Sequence, residues 1–184
     1  ASTQLEGAIL SGSGSAYPFN STTDHIWQWH YDWAQFNAQG PIFITQVYVR
    51  VLSGLQANAF NFPSVELTMA SSPTDYTVAG VGGVPGHSTT LAANLNPDAT
   101  VVRPASSWIG APAANTWIPM NLAVPFYYNP TLHNDFVLQI RKCGAGVVWG
   151  QSIFGASGAA GATGGNRYGD IASCAATVST FSNN

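Results

Sequence analysis

Residues 42–51 read IFITQVYVRV, and this stretch decides the fold class. Its apolar side chains alternate with others up to Ile44 and then continue from Val47 one residue out of phase. Successive side chains of a strand point to opposite faces, so a period of two predicts a β-strand with one buried face. A slip of one residue is what a β-bulge introduces, and we therefore expect a bulge at Thr45-Gln46.

The same alternation recurs on either side of this stretch. Residues 65–69 and 136–141 alternate cleanly, and residues 118–126 do so with Pro119 and Pro125 on their second face. Proline lacks the N–H that a sheet ladder needs, so this last strand is predicted to lie at an edge or to be interrupted. Shorter strand candidates are 100–103, 147–150 and 177–181. Gly, Pro and Asn clusters separate them, and this pattern predicts an all-β sandwich, specifically a jelly roll.

Charged residues are scarce in this chain. Only 13 of 184 residues are Asp, Glu, Lys or Arg, about 7%, whereas soluble domains average roughly 25%. Free monomers stay soluble through an interspersed charged surface, so we expect this surface to be covered by neighbouring subunits or by a polar coat. The net charge of −3 and the scattered cations predict no binding of nucleic acid. No stretch resembles the roughly 20 apolar residues of a membrane span.

The cysteine content bears on the compartment. Cys143 and Cys174 form an even set, and the chain starts at Ala1, as a mature product does after removal of a signal peptide. We therefore expect an extracellular or cell-surface protein with one disulfide between these two residues. The alternative is a pair of buried free thiols.

Three regions of different composition divide the chain. Residues 1–10 form a short apolar-leaning segment, residues 11–16 a Ser/Gly linker, and residues 17–184 the jelly-roll domain. We expect residues 3–10 to leave their own domain and to pair as a donor strand with a neighbouring protomer. The alternatives are an edge strand of the same domain and disorder. The side chains expected to fill the partner's groove are Leu5, Ala8, Ile9 and Leu10.

Residues 24–36 read DHIWQWHYDWAQF and form an aromatic block. In a strand, Trp27, Trp29 and Trp33 share one face, and Gln28 and His30 lie on the other. The tryptophans either pack in the core or at a subunit contact, which we favour, or form an exposed platform for sugar rings. We expect a strand to about residue 31, followed by a short helical turn.

A family resemblance begins within this block. Residues 27–51 contain Q-x-x-Y-D-x-x-x-F, then G-P-I-x-I-T-x-V-x-x-R, carried by Gln28, Tyr31, Asp32, Phe36, Gly40, Pro41, Ile42, Ile44, Thr45, Val47 and Arg50. The pattern resembles secreted bacterial β-jelly-roll domains, and this resemblance implies an Asp32–Arg50 pair across strands. The layout of strand, linker and domain also resembles the protomers of pilus-like extracellular filaments joined by donor strands.

The sequence contains few patterns that are typical of sites for catalysis, metal binding or modification. The four histidines lack metal-binding spacing, no nucleophile elbow is present, and the sequence marks no facing pair of carboxylates, so we expect no enzyme and no cofactor. A structural Ca²⁺ is conceivable but is assigned no site. Its conceivable oxygen donors are Asp24, Asn134, Asp135, Asn166 and Asp170. Asn20-Ser21-Thr22 is a sequon, which makes Asn20 the glycosylation candidate.

Two functions fit these observations. The first is a structural subunit of an extracellular filament, a homopolymer assembled head-to-tail by addition of the N-terminal strand to the next protomer. The alternative is a secreted carbohydrate-binding module with its aromatic platform at residues 25–33.

Overall fold

A computed structural model describes the central part of the chain and little of its ends. The described residues are 19, 23–36, 38–50, 59–75, 86–111, 113, 116–144, 165–171 and 173–178, without the side chains of Arg50 and of 165–171. The predicted donor strand 1–10, the linker 11–16, Asn20 and the strand candidate 147–150 lie outside them, as do residues 179–184.

Strands dominate the described residues, and the predicted all-β class is confirmed. The strands are His25–Tyr31 (β1), Ile42–Ile44 (β2), Tyr48–Arg50 (β3), Phe60–Ser72 (β4), Thr100–Gly110 (β5), Trp117–Pro119 (β6), Phe126–Tyr128 (β7), Asp135–Cys143 (β8) and Gly165–Ile171 (β9). Short 3₁₀-helices cover Trp33–Gln35, Leu91–Asn94 and Pro130–Leu132.

The strands form two antiparallel layers. The main layer is a five-stranded sheet in the order β5-β4-β8-β1-β9. The second layer consists of two short ladders, β2 with β7 and β3 with β6. Apolar side chains of both layers meet in one core: Trp27, Leu67 and Ile140 from the main sheet lie in the same buried cluster as Met120 and Phe126. The described chain is therefore an all-β sandwich.

The slip at Thr45-Gln46 takes a different form from the one predicted. Residues 45–47 separate β2 from β3, and the two strands pair with different partners, where the sequence predicts one bulged strand. The gap is bridged by the carbonyl of Val47, which accepts a hydrogen bond from the amide of Met120 at 2.8 Å. The segment that pairs with β2 and β3 is interrupted as well, between β6 and β7. This confirms the interruption that Pro119 and Pro125 predict.

The outer face of the main sheet is covered by two chain segments. The amide of Leu91 donates to the carbonyl of Thr177 at 2.9 Å, and Thr90 and Val178 form an isolated antiparallel bridge. Residues 86–96 and 173–178 therefore lie side by side, and we call the two together the cover. Because of the cover, the main sheet has a second face that is shielded from water.

Candidate functional surfaces

The aromatic block has the predicted local structure, and its first tryptophan is buried in the core. β1 ends at Tyr31, and Asp32 then caps the 3₁₀-turn by accepting a hydrogen bond from the amide of Ala34 at 2.7 Å. Trp27 is 0% exposed in the core, with its ring centroid 5.5 Å from that of Phe19. A fully buried indole offers no face to a sugar, so the platform proposed at residues 25–33 is wrong for Trp27 and core packing is right.

Trp29 and Trp33 are half-buried. Trp29 packs against the core with its ring centroid 5.9 Å from that of Trp27. Trp33 stacks on His133 with centroids 3.9 Å apart and planes 22° apart. Each of these two rings therefore already has an aromatic neighbour within the domain, and they do not form one continuous flat row with Trp27.

The opposite face of β1 carries a polar cluster, which we define as Gln28, His30, His87, Asn94 and Gln139 and of which all but His87 are buried. Gln28 donates from Nε2 to Oε1 of Gln139 at 3.0 Å and accepts at Oε1 from Nδ2 of Asn94 at 3.0 Å. Its Nε2 also lies 2.9 Å from the carbonyl oxygen of Leu91. The rings of His30 and His87 lie 3.9 Å apart. This cluster fastens the cover to the main sheet.

Asn94 also shapes the cover itself. Its Oδ1 accepts from the amide of Ser88 at 2.7 Å, and its Nδ2 lies 3.0 Å from the carbonyl of the same residue. Gln28, His30 and Asn94 are each 0% exposed, so no substrate reaches them in this conformation. Burial and the neighbouring His87 hold the pKa of His30 well below its usual value. The cluster is therefore a structural joint between the cover and the main sheet.

The predicted disulfide is confirmed. Cys143, at the end of β8, is bonded to Cys174 in the cover, with the Cα atoms 5.7 Å apart. Beside it, Nη1 of Arg141 donates to the carbonyl of Cys174 at 2.9 Å, and Nε of Arg141 lies 3.6 Å from the carboxylate of Glu66. The bond and this cation attach the second segment of the cover to the same sheet that the polar cluster holds.

Four exposed aromatic side chains lie on the outer side of the second layer. Phe43 is 66% exposed, Tyr127 53%, Tyr48 52% and Trp117 42%. We call this set the outer aromatic face. Phe43 and Tyr127 face each other across the β2–β7 ladder with ring centroids 5.5 Å apart. The strand residues next to the four point the other way, into the core: Ile42, Ile44, Val49, Ile118, Phe126 and Tyr128.

Sequence reasoning missed this face, although its signal was present. Phe43 lies between Ile42 and Ile44, and Tyr48 lies next to Val49. In an alternating strand these aromatic residues are out of phase with the apolar positions that enter the core. An aromatic residue in the outward phase is the pattern to search for.

The strand edges of the second layer are open within the described part of the chain. There, β2 and β7 pair only with each other, and so do β3 and β6, while five strands lie opposite them. An unpaired strand edge presents a row of backbone N–H and C=O groups that can pair with another chain.

Few charges reach the surface that the structure describes. Nine of the 13 charged side chains belong to it: Asp24, Asp32, Glu66, Asp75, Asp98, Arg103, Asp135, Arg141 and Lys142. Arg103, Asp135 and Lys142 are buried, Asp98 is exposed, and the other five are half-buried. The buried guanidinium of Arg103 donates to backbone carbonyls, one of them that of Ser107 at 2.8 Å. The described surface is thus poorer in charge than the composition implies.

The described calcium donor candidates, Asp24, Asn134 and Asp135, belong to no carboxylate cluster among the described residues. Oδ1 of Asp24 accepts from the amide of Gly144 at 2.7 Å, and Oδ1 of Asp135 lies 3.3 Å from the amide of Trp33. The side chains of Asn166 and Asp170 lie outside the described part. No group of three or more His, Cys, Asp or Glu side chains with metal-binding geometry occurs among the described residues. No helix among them is both long and apolar enough to cross a bilayer.

Comparison with known proteins adds no family. No family model matches the chain, and no curated protein or solved structure is significantly similar to it.

Proposed function

We propose that this protein is a non-enzymatic structural subunit of an extracellular filament, in which the N-terminal strand of one protomer pairs with a strand edge of the next. The observation that carries the proposal is the width of the second layer. In the described part of the chain this layer is two strands wide, whereas the sheet opposite it has five strands. A strand supplied by a neighbour would extend this layer, satisfy the exposed backbone groups and cover apolar surface.

The charge-poor surface supports the same proposal. Six of the nine described charged side chains reach the surface, five of them half-buried, and this is little for a free monomer, whose solubility depends on surface charge. Contacts with other subunits, or a glycan at Asn20, would cover part of that surface. The Cys143–Cys174 disulfide is of the kind that persists in oxidising compartments, and this supports an extracellular location.

The position of Phe19 supports the route of the donor strand. Its ring is 0% exposed and lies 5.2 Å from that of Trp108 and 5.5 Å from that of Phe62, so the chain is fixed in the core at this point. Eight residues, 11–18, separate it from the proposed donor strand. A Ser/Gly-rich chain of that length has a root-mean-square span of about 14–17 Å, which allows residues 3–10 to reach past their own domain. A head-to-tail contact of this type does not close on itself and propagates as a filament.

The experiment compares the full chain with a chain lacking residues 1–10 by negative-stain electron microscopy and light scattering. The full chain should form filaments, and the truncated chain should form none. A free peptide of residues 1–10 should bind the truncated chain without linking it to a second copy, because the peptide is not attached to another domain. Ile9→Asp should block assembly because it places a charge among the apolar side chains that enter the partner. Gln4→Asp makes the same charge change at a polar position and serves as the matched control. Filaments of normal length from the truncated chain would refute the proposal.

The carbohydrate-binding alternative loses its original support. It depends on a platform at residues 25–33, and the burial of Trp27 removes the centre of that platform.

A further inference from the structure

The two edges of the β3–β6 ladder differ in the backbone groups that they offer to a further strand. The amide of Met120 donates to the carbonyl of Val47 at 2.8 Å, and these residues continue the register in which Tyr48 lies opposite Pro119. Hydrogen-bonded and non-hydrogen-bonded pairs alternate along an antiparallel ladder, so Tyr48 and Pro119 form a pair without mutual bonds. The backbone groups of Tyr48 therefore point to the free edge of β3, and those of Pro119 point to the opposite edge.

The β6 edge offers little to a further strand. Pro119 has no N–H to donate, and its carbonyl already accepts a hydrogen bond from Nε1 of Trp108 at 3.1 Å. Farther along the same segment, the amide of Ala123 donates to the carbonyl of Val102 in β5 at 2.7 Å. This side of the second layer is therefore fastened to the main sheet.

The β3 edge keeps both donors and acceptors. Arg50 lies two residues from Tyr48, so its N–H and C=O point to the same edge, and β6 is the only strand that pairs with β3 among the described residues. Tyr48 is 52% exposed, whereas its neighbour Val49 is 6% exposed and belongs to the core. A strand added at this edge would therefore have one phase beside the core and one phase beside water.

Charge complementarity selects the N-terminal segment as that strand. Glu6 is the only charged residue among residues 1–18, and Arg50 is the only charged residue in the sequences of β2, β3, β6 and β7. Opposite charges on neighbouring strands stabilise their pairing. If Glu6 takes the outward phase beside Arg50, then Leu5 and Ile9 take the phase of Val49, beside the apolar core. A single register therefore satisfies the charge and the apolar side chains together.

The other cations of the chain fit Glu6 less well. Those with described side chains are buried or hydrogen-bonded within the domain: Arg103, Arg141 and Lys142. Arg167 in β9 lies opposite Trp29, whose ring packs against the core. A strand with Glu6 beside Arg167 would therefore have its carboxylate in the phase of the core, where an ion pair loses its hydration.

We propose that the β3 edge is the acceptor for residues 3–10 of a neighbouring copy, with Glu6 of that copy beside Arg50. The inference rests on the proposed function and names the surface of the domain that receives the donor strand.

The first test exchanges the two charges and measures the critical concentration for filament formation by sedimentation. Glu6→Arg and Arg50→Glu should each raise it at least about threefold, because like charges then lie on neighbouring strands. A chain with both changes should assemble nearly as well as the unmodified chain, since each contact again joins opposite charges. Glu6→Arg with Arg167→Glu is the matched control, which has the same net charge and should stay impaired. Circular dichroism checks that each variant is folded.

The second test traps the contact with engineered cysteines. Chains carrying Glu6→Cys and Arg50→Cys should form ladders on non-reducing gels that a thiol removes. Glu6→Cys with Trp117→Cys is the control for the opposite edge. Position 117 is one strand farther from a donor strand paired with β3, about 10 Å in total, which is too far for a disulfide.

The results separate this assignment from the proposed function. Failure of the double exchange to restore assembly, equal rescue by Arg167→Glu, or cross-linking through position 117 and not through position 50 would overturn the β3 assignment. If filaments still require residues 1–10 in that case, the proposed function stands and another edge receives the strand. Filaments from the chain lacking residues 1–10 would refute the proposed function itself.

Discussion

Removal of the Cys143–Cys174 disulfide should lower the free energy of unfolding by an amount that the loop length fixes. The two cysteines are 31 residues apart. In the chain-entropy model, opening a loop of that length releases unfolded-state entropy worth about 3–4 kcal/mol at 25 °C. For a domain of this size, such a change corresponds to a decrease in Tm of roughly 7–14 °C. We expect this result for the double variant Cys143→Ala/Cys174→Ala.

The assay is equilibrium unfolding in urea at neutral pH. Unmodified protein reduced with a thiol is the matched control, because it loses the same covalent link and keeps both sulfur atoms. If the effect acts through the unfolded chain, the m-value should rise together with the loss of stability, since an uncrosslinked chain exposes more surface. A loss below about 1 kcal/mol with an unchanged m-value would refute the reasoning.

The structure adds a local expectation to this global one. The disulfide holds residues 173–178, and the amide of Leu91 donates to the carbonyl of Thr177 in that segment. Without the bond, hydrogen exchange at the Leu91 amide should accelerate more than exchange at Leu138, which lies in the middle of the main sheet between β1 and β4. Equal acceleration at both amides would mean that the bond has no special effect on the cover.

The remaining predictions concern β1. Trp27→Ala should lower the free energy of unfolding in urea by about 3–5 kcal/mol because it opens a cavity among buried rings. Trp117→Ala, on the outer side of the second layer, should lower it far less. Equal losses in the two variants would contradict the assignment of Trp27 to the core and of Trp117 to the surface. Burial lowers the folded-state pKa of His30 below its unfolded value near 6.5, so the free energy of unfolding should be at its full value above that pH and should decrease as the pH falls below it. His30→Gln should weaken this pH dependence. An unchanged pH profile in the variant would contradict the role given to His30. Gln28→Leu should lower the free energy of unfolding by about 1–3 kcal/mol because Nδ2 of Asn94 loses its acceptor on Gln28. The variant should also accelerate hydrogen exchange in the cover. A stability equal to that of the unmodified chain would show that the Asn94–Gln28 hydrogen bond contributes nothing.

The strands could be predicted from sequence because alternation depends only on local order. β4 and β8 contain the alternating stretches 65–69 and 136–141, and the turn after residue 31 follows from the capping geometry of Asp32. The separation of β2 from β3 was not predicted, since a slip in phase indicates that a ladder is disturbed but not whether it bulges or breaks.

The buried polar cluster could not be predicted for a different reason. Gln28 and His30 occupy the phase of β1 that a two-layer sandwich leaves open to water. They are buried because residues 86–96 cover them, and Asn94 in that segment is 66 positions from Gln28 in the sequence. Neither the spacing of the histidines nor the composition of the segment indicates that contact. Pairing of distant polar residues is a property of the tertiary fold, and periodicity contains no information about it.

The outer aromatic face differs from the polar cluster because the local order of the residues predicts it, although the composition does not. A strand of an antiparallel sheet with one wet face is expected to alternate apolar with polar residues, whereas a strand covered on both faces is apolar in both phases. β2 is Ile-Phe-Ile and β7 is Phe-Tyr-Tyr, so both phases are apolar or aromatic. The core covers one phase of these strands, through Ile42, Ile44 and Phe126. By the same rule the other phase requires a cover. Phe43 and Tyr127 nevertheless remain exposed, so none of the described residues provides that cover.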